Sequence, residues 1–262
     1  MTKAKYFKMT AVDRETAEIY IYGEIVSDDW RWYESDTSAV SFRDALNELG
    51  DVNTITININ SPGGDVFEGI AIYNMLKRHK AKIIVRVDAL AASIASVIAM
   101  AADELVMPSN SMLMLHNAWT FGWGNHNEFR KLADDLEKIN ESVKESYLAK
   151  NPSMDREELS RIMDAETWIS AKEAKEMGFA DEVIEAVAVA ASLSQAFASR
   201  YTNVPDNLTE PQAAEPIITD SEIASLRQEI KDLTDMFKAQ QKEEPTNEPK
   251  NNGALSKLFL NL

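Results

Sequence analysis

Ser93 is the hydroxyl best placed for chemistry in this chain. It stands in Ala91-Ala92-Ser93-Ile94-Ala95. The preceding run Lys82-Ile83-Ile84-Val85-Arg86-Val87 is β-branched and apolar and reads as a buried strand. The following residues are alanine-rich and predict a helix. A hydroxyl at such a junction lies beside free N–H groups and the positive end of a helix dipole, which favour developing negative charge. The small alanine side chains let a substrate backbone come close. A second reading stays open on these residues alone, because serine is also a common helix N-cap.

Two further stretches carry groups of the right type. Asn60-Ser61-Pro62-Gly63-Gly64-Asp65 follows the alternating run Thr54–Asn60 and precedes an amphipathic helix, Val66–Arg78. Paired glycines in that place can turn backbone N–H groups toward an anion, and they can equally form a plain turn. No Gly-Lys-Ser/Thr follows, so this is not a nucleotide P-loop. His116 ends the apolar run Ser111-Met112-Leu113-Met114-Leu115 and enters an aromatic, glycine-containing loop from Asn117 to Gly124. That loop suits a substrate edge or a subunit contact. The carboxylates Asp164 and Glu166 precede Trp168-Ile169-Ser170, and as isolated residues they read as solvated turn positions.

The elements that must hold these groups alternate between strand and helix, the pattern of stacked βαβ units. Expected strands are Ala17–Ile25, Thr54–Asn60, Lys82–Val87, Glu104–Met107, Ser111–His116 and Phe179–Ile184. Expected helices are Ser41–Leu49, Val66–Arg78, the stretch after Ser93, Asn127–Lys150, Asp155–Met163 and Ala171–Met177. Ser27–Tyr33 reads as a loop. In Asn127–Lys150 an apolar stripe runs through Phe129, Leu132, Leu136, Ile139, Val143 and Tyr147.

Composition narrows the function classes. The chain has 262 residues, 45% of them hydrophobic, enough for one substantial domain and an extension. A formal net charge of −16 argues against nucleic acid or an anionic membrane as the main partner. Cysteine is absent, so disulfide and thiolate chemistry are excluded. The three histidines form no metal-ligand spacing, and neither a metal nor a cofactor is expected. No apolar run reaches the ~18 residues of a membrane span without polar interruption, and the N-terminus lacks an apolar signal core. A soluble cytoplasmic protein is expected.

Beyond the core, Ala186–Arg200 is alanine-rich and reads as helical. Residues 1–200 are taken as the main domain and 201–220 as a proline-rich linker. Residues 221–242 read as an amphipathic helix, with Ile223, Leu226, Ile230, Leu233 and Phe237 forming a short heptad seam. Residues 243–262 are polar and disordered in composition, with an apolar tip at Leu255–Leu260.

Ser61-Pro62-Gly63-Gly64, Ala91-Ala92-Ser93-Ile94-Ala95 and Met114-Leu115-His116 occur in order and at compatible spacing. Together with Trp168-Ile169-Ser170-Ala171-Lys172-Glu173-Ala174 and Gly178-Phe179-Ala180-Asp181, they resemble the Clp protease proteolytic subunit (ClpP) family over roughly residues 17–185. The C-terminal extension and Glu166-Thr167-Trp168 look like the phage-encoded, ClpP-like head maturation proteases. The resemblance implies an α/β fold, the ClpP/crotonase-like stacked ββα superhelix. It implies a serine endopeptidase with Ser93 as nucleophile, His116 as general base and the N–H groups of Gly64 and Ile94 as oxyanion hole. Ungapped counting back from Ser170-Ala171 places Glu166 at the family's triad Asp, while Asp164 needs a two-residue shift. Protein or peptide substrates are implied, as is a homo-oligomer, a heptameric ring or double ring stacked through the Asn127–Lys150 helix. A Clp-type ATPase and phage capsid or scaffold proteins are the implied partners. Two other classes stay open: a crotonase-like acyl-CoA enzyme, which shares the superhelix and backbone oxyanion hole, and a catalytically silent assembly scaffold.

Overall fold

A computed structural model describes residues 9–11, 15–186 and 200–205, all within the first of two compact units, Met1–Gln212. The expected Ala186–Arg200 helix, the heptad helix at 221–242 and the tail at 243–262 lie outside the described residues, apart from Ala186 and Arg200 themselves.

The sheet is built on three long parallel strands, β2 (Thr16–Ile25), β3 (Thr54–Gly64) and β4 (Lys82–Ala92), with β1 (Met9–Ala11) antiparallel to β2 at one edge. Their register aligns Ile19 with Ile57 and Val85, and Ile21 with Ile59 and Val87. All six side chains are fully buried. Alternation along each strand therefore becomes one continuous β-branched layer, each side chain contributing about 1.5–3 kcal/mol by burial.

β4 then divides its partners. Ile84–Arg86 pairs with β5 (Glu104–Pro108), which continues to β8 (Glu182–Ile184). Leu90–Ala92 pairs instead with β6 (Met112–Leu115), which is antiparallel to β7 (Thr167–Ser170). This division is the superhelical step of the fold, and it occurs immediately before Ser93.

Three strands differ from the sequence reading by three or more residues at one end, and that reading gives neither β1 nor β7. β3 runs to Gly64 and β4 to Ala92, because Gly63 and Gly64 pair with Glu24 and Ile25, and Leu90–Ala92 pair with β6. Proline and alanine hid these extensions from a β-propensity count. The last strand is shorter than Phe179–Ile184, since Phe179 and Ala180 turn their N–H groups back to the Ala174 carbonyl.

Helices cover the sheet: α1 (Ala39–Leu49), α2 (Val66–Lys77), α3 (Ile94–Ala99), α4 (His126–Lys150), α5 (Arg156–Asp164) and α6 (Ala171–Glu176). Ser38 and Ser41 form a reciprocal capping box at α1, and Asp65 accepts the N–H groups of Phe67 and Glu68 at the start of α2. α3 is buried along its whole length, and only small or branched residues fit it there. A Cβ on Gly69 would lie 2.1 Å from the Ile94 Cγ1, so α2 and α3 touch through that glycine. The apolar stripe of α4 is fully buried only at Val143 and Tyr147. Leu132, Leu136 and Ile139 are half-buried, and Phe129 is exposed. No helix among the described residues is long and apolar enough to cross a membrane.

Candidate active site

Ser93 follows β4 directly and adopts φ 57°, ψ −131°, a conformation that L-residues rarely hold. Such a backbone costs on the order of 1–3 kcal/mol and persists where surrounding contacts impose it. Those contacts are visible. The Ser93 N–H donates to the Met114 carbonyl at 2.8 Å, and the Ser93 carbonyl accepts the Ser96 hydroxyl at 2.6 Å. Ser96 in turn lies 2.7 Å from the buried Tyr147 hydroxyl, so the end of α4 braces the turn. The Ser93 side chain makes no capping bond to α3, which removes the N-cap reading.

His116 follows β6, which lies beside the end of β4. Its Nε2 lies 2.8 Å from the Ser93 Oγ. Burial of the imidazole lowers its pKa below the ordinary 6.5, opposed by the negative charge of Glu166. The ring is accordingly neutral at pH 7 and can accept the Ser93 proton.

Gly63 and Gly64 bring β3 against this turn. A Cβ on Gly63, at φ 91°, would lie 2.7 Å from the Ser93 Cβ and 3.1 Å from the Ile94 nitrogen. A Cβ on Gly64, at φ 147°, would lie 2.0 Å from the Ile25 carbonyl oxygen. Both positions therefore exclude any side chain. The N–H of Ile94, first residue of α3, has no carbonyl one turn earlier in its own helix to bond.

The two candidate acids are placed differently. Glu166 has φ 49°. Its Oε1 accepts the N–H groups of Thr202 at 2.5 Å and Asn203 at 2.7 Å. Asp164 accepts the Asn117 side-chain amide at 2.7 Å in an exposed setting. Among the described residues neither carboxylate hydrogen-bonds His116. The structure thus brings Ser93, His116, Gly64 and Ile94 together, and leaves Glu166 within electrostatic range of the imidazole without a hydrogen bond to it.

Residues absent from the sequence reading complete the cleft. Tyr201 packs its ring edge-on to His116, with centroids 5.8 Å apart, and to Trp168 at 5.7 Å. Its hydroxyl donates to the Pro62 carbonyl. Residue 201 reads from sequence as the start of a linker, whereas Tyr201 packs against Trp168 and His116, and Thr202 and Asn203 bond to the turn at Ala165 and Glu166. No local pattern signals this, because the partners are far away in sequence. A cavity of about 220 Å³ remains between Ser93, His116, Gly64, Trp119, Arg200 and Tyr201.

The family model for Clp protease matches residues 18–187. The ATP-dependent Clp protease proteolytic subunit of Deinococcus radiodurans is 31% identical over 143 residues, 53% of this chain and 69% of that protein. The protein of the same name from Bacteroides thetaiotaomicron is 31% identical over 142 residues, 53% of this chain and 64% of that protein. Among solved structures, a single-substitution variant of ClpP1 from Listeria monocytogenes superposes with a TM-score of 0.54 at 28% identity, covering 64% of this chain and 91% of that one. Strand division before Ser93, the glycine pair opposite it and these matches agree on one conclusion: the chain belongs to the Clp protease family, whose members are serine peptidases.

Proposed function

We propose that this protein is a serine endopeptidase using Ser93 and His116, with Gly64 and Ile94 as oxyanion donors and Glu166 as the orienting acid. The observation that carries the reading is the 2.8 Å contact between the His116 Nε2 and a Ser93 held at positive φ. The Ser93 Oγ attacks the substrate carbonyl carbon while its proton passes to the His116 Nε2. The carbonyl oxygen gains negative charge beside the Gly64 and Ile94 N–H groups, which stabilise it only in the tetrahedral state. The imidazolium returns the proton to the leaving amine, and the scissile C–N bond breaks. Water then attacks the acyl-Ser93 ester, giving its proton to His116, and the carboxylate product leaves with Ser93 restored.

The proposal extends to assembly. A homo-oligomeric chamber, a heptameric ring or double ring, would enclose these sites. Exposed Trp119, Phe121, Trp123 and Phe129 support it, being large apolar groups clustered from the loop after His116 to the start of α4. The relatives' names add a Clp-type ATPase as one partner, and the C-terminal extension adds a phage capsid or scaffold protein as the other. In that phage-type reading, the seam at 221–242 tethers the protease to an assembling shell.

A fluorophosphonate probe with peptide mapping tests the chemistry. The expected result is a single adduct on Ser93, absent from Ser93→Ala. An unlabelled Ser93 in a folded protein would return the crotonase-like and scaffold readings. Mass photometry tests the chamber, and a monomer at micromolar concentration would remove it.

A further inference from the structure

Arg200 and Tyr201 line the same cavity as Ser93 and His116. Tyr201 enters an apolar seat made by Leu90, Ala92, Met114 and Trp168, directly against the His116 ring. Its hydroxyl finds an acceptor in the Pro62 carbonyl, next to the glycine pair. Burial pushes its pKa up to about 12, so the phenol remains a donor. On one side Arg200 pairs with Glu24. On the other, the Thr202 and Asn203 N–H groups converge on the Glu166 Oε1, and the Asn203 side chain donates to the Ala165 carbonyl at 2.9 Å. The space left beside Ser93, about 220 Å³, is below the ~300–1,000 Å³ of a typical ligand pocket. Tyr201 narrows the space from which a peptide would approach Ser93.

We propose that Arg200–Asn203 is an internal ligand of the catalytic cleft, a strap that fills a tyrosine-accepting peptide seat and withholds Glu166 from His116. The proposal rests on the catalytic reading of Ser93. Two effects combine in the strap. Tyr201 narrows entry, and the backbone donors of 202 and 203 engage the Glu166 Oε1 and so fix how that carboxylate is presented to the imidazole. The strap needs little intrinsic affinity, because a tether within one chain supplies an effective concentration on the order of millimolar. Displacement frees both the seat and the acid at once. The ligand class follows from the seat: a peptide segment carrying an aromatic side chain, with tyrosine preferred because the Pro62 carbonyl stands ready for its hydroxyl.

The experiment uses the full chain with Tyr201→Ala and, as an independent variant that keeps the side chain, Asn203→Pro, which deletes one donor to Glu166. Fluorophosphonate labelling of Ser93 is measured alongside calorimetric binding of the free peptide acetyl-Ser-Arg-Tyr-Thr-Asn-amide. Labelling should accelerate roughly 10–100-fold in each variant, the factor for a strap closed about 90–99% of the time. The peptide should bind Tyr201→Ala, slow its labelling, and fail to bind the unmodified protein. Unchanged labelling in both variants with no peptide binding would overturn the strap. So would slower labelling, which would make Tyr201 part of the working site. If Ser93 is unlabelled in every protein but the peptide binds only Tyr201→Ala, the strap stands and the catalytic reading fails.

Discussion

The two walls of the cleft are built by different means. The wall carrying Ser93, Ile94, Gly63 and Gly64 belongs to β3, β4 and α3, with backbone packed against backbone and no room for a Cβ. The wall carrying Glu166 and Tyr201 consists of a turn before β7 and a segment arriving from the far end of the unit, held by side chains and a few hydrogen bonds. The first wall is set by the sheet itself and stores strain at Ser93. The second can change its arrangement by breaking a few contacts. In the proposed reaction, the geometry that must match a transition state is on the rigid wall, and the exchangeable groups are on the other.

Ser93→Ala is the largest test of the rigid wall. It should lower kcat on the order of 10⁶-fold, as for other triad nucleophiles, with an unchanged urea midpoint. A variant that keeps substantial peptidase activity would place the nucleophile elsewhere.

Next in size is the acid. Glu166→Gln should cost about 10⁴-fold in kcat, measured in the Tyr201→Ala background where the carboxylate is free. Asp164→Asn should leave the rate near its starting value, because its partner is the exposed Asn117 amide. The reverse ranking would assign the orienting role to Asp164.

Gly64→Ala probes the rigid wall at a residue whose backbone N–H, not a side chain, carries its proposed role as oxyanion donor. Its Cβ would meet the Ile25 carbonyl at 2.0 Å. Overpacking of this kind costs at least about 1–3 kcal/mol, readable as a lower urea midpoint. An unaltered midpoint would show that β2 yields, and that the wall is softer than its packing implies.

Ser96→Ala should be milder for activity than for folding. It strands the buried Tyr147 hydroxyl and removes one of two donors to the Ser93 carbonyl, which keeps the Ser96 N–H. Leaving such a group unpaired costs about 1–3 kcal/mol. The double variant with Tyr147→Phe should recover part of that loss, and no recovery would mean the bond between them carries little.

The smallest effect is a displacement in pH. Burial favours the neutral imidazole, so His116 titrates below about 6.5. Activity should be full above its folded pKa and fall as pH drops through it. Stability carries the same sign: the unfolded chain binds the proton first, so stability is lost as pH falls from about 6.5 to the depressed folded value. Tyr201→Ala admits water to the ring and should move the acid limb of kcat/KM upward. An unmoved limb would show that Tyr201 does not desolvate His116.

Much of the rigid wall was readable from residues in order. Alternating isoleucines marked β2 and β3, paired glycines announced a close approach, and Ala-Ala-Ser after a β-branched run located the strand-to-helix turn. These signals are local because period, size and backbone freedom are properties of neighbouring residues. The division of β4 between β5 and β6 was not readable, since pairing is decided by whichever strand lies alongside. Nor was the burial of α4, whose apolar stripe continues past the point where the core ends. Sequence counting could place Glu166 opposite the family's acid, but not where its oxygens point. Only the tertiary structure brought Thr202 and Asn203 to that carboxylate and Tyr201 to His116, because those contacts join residues distant in sequence and leave no pattern in either segment.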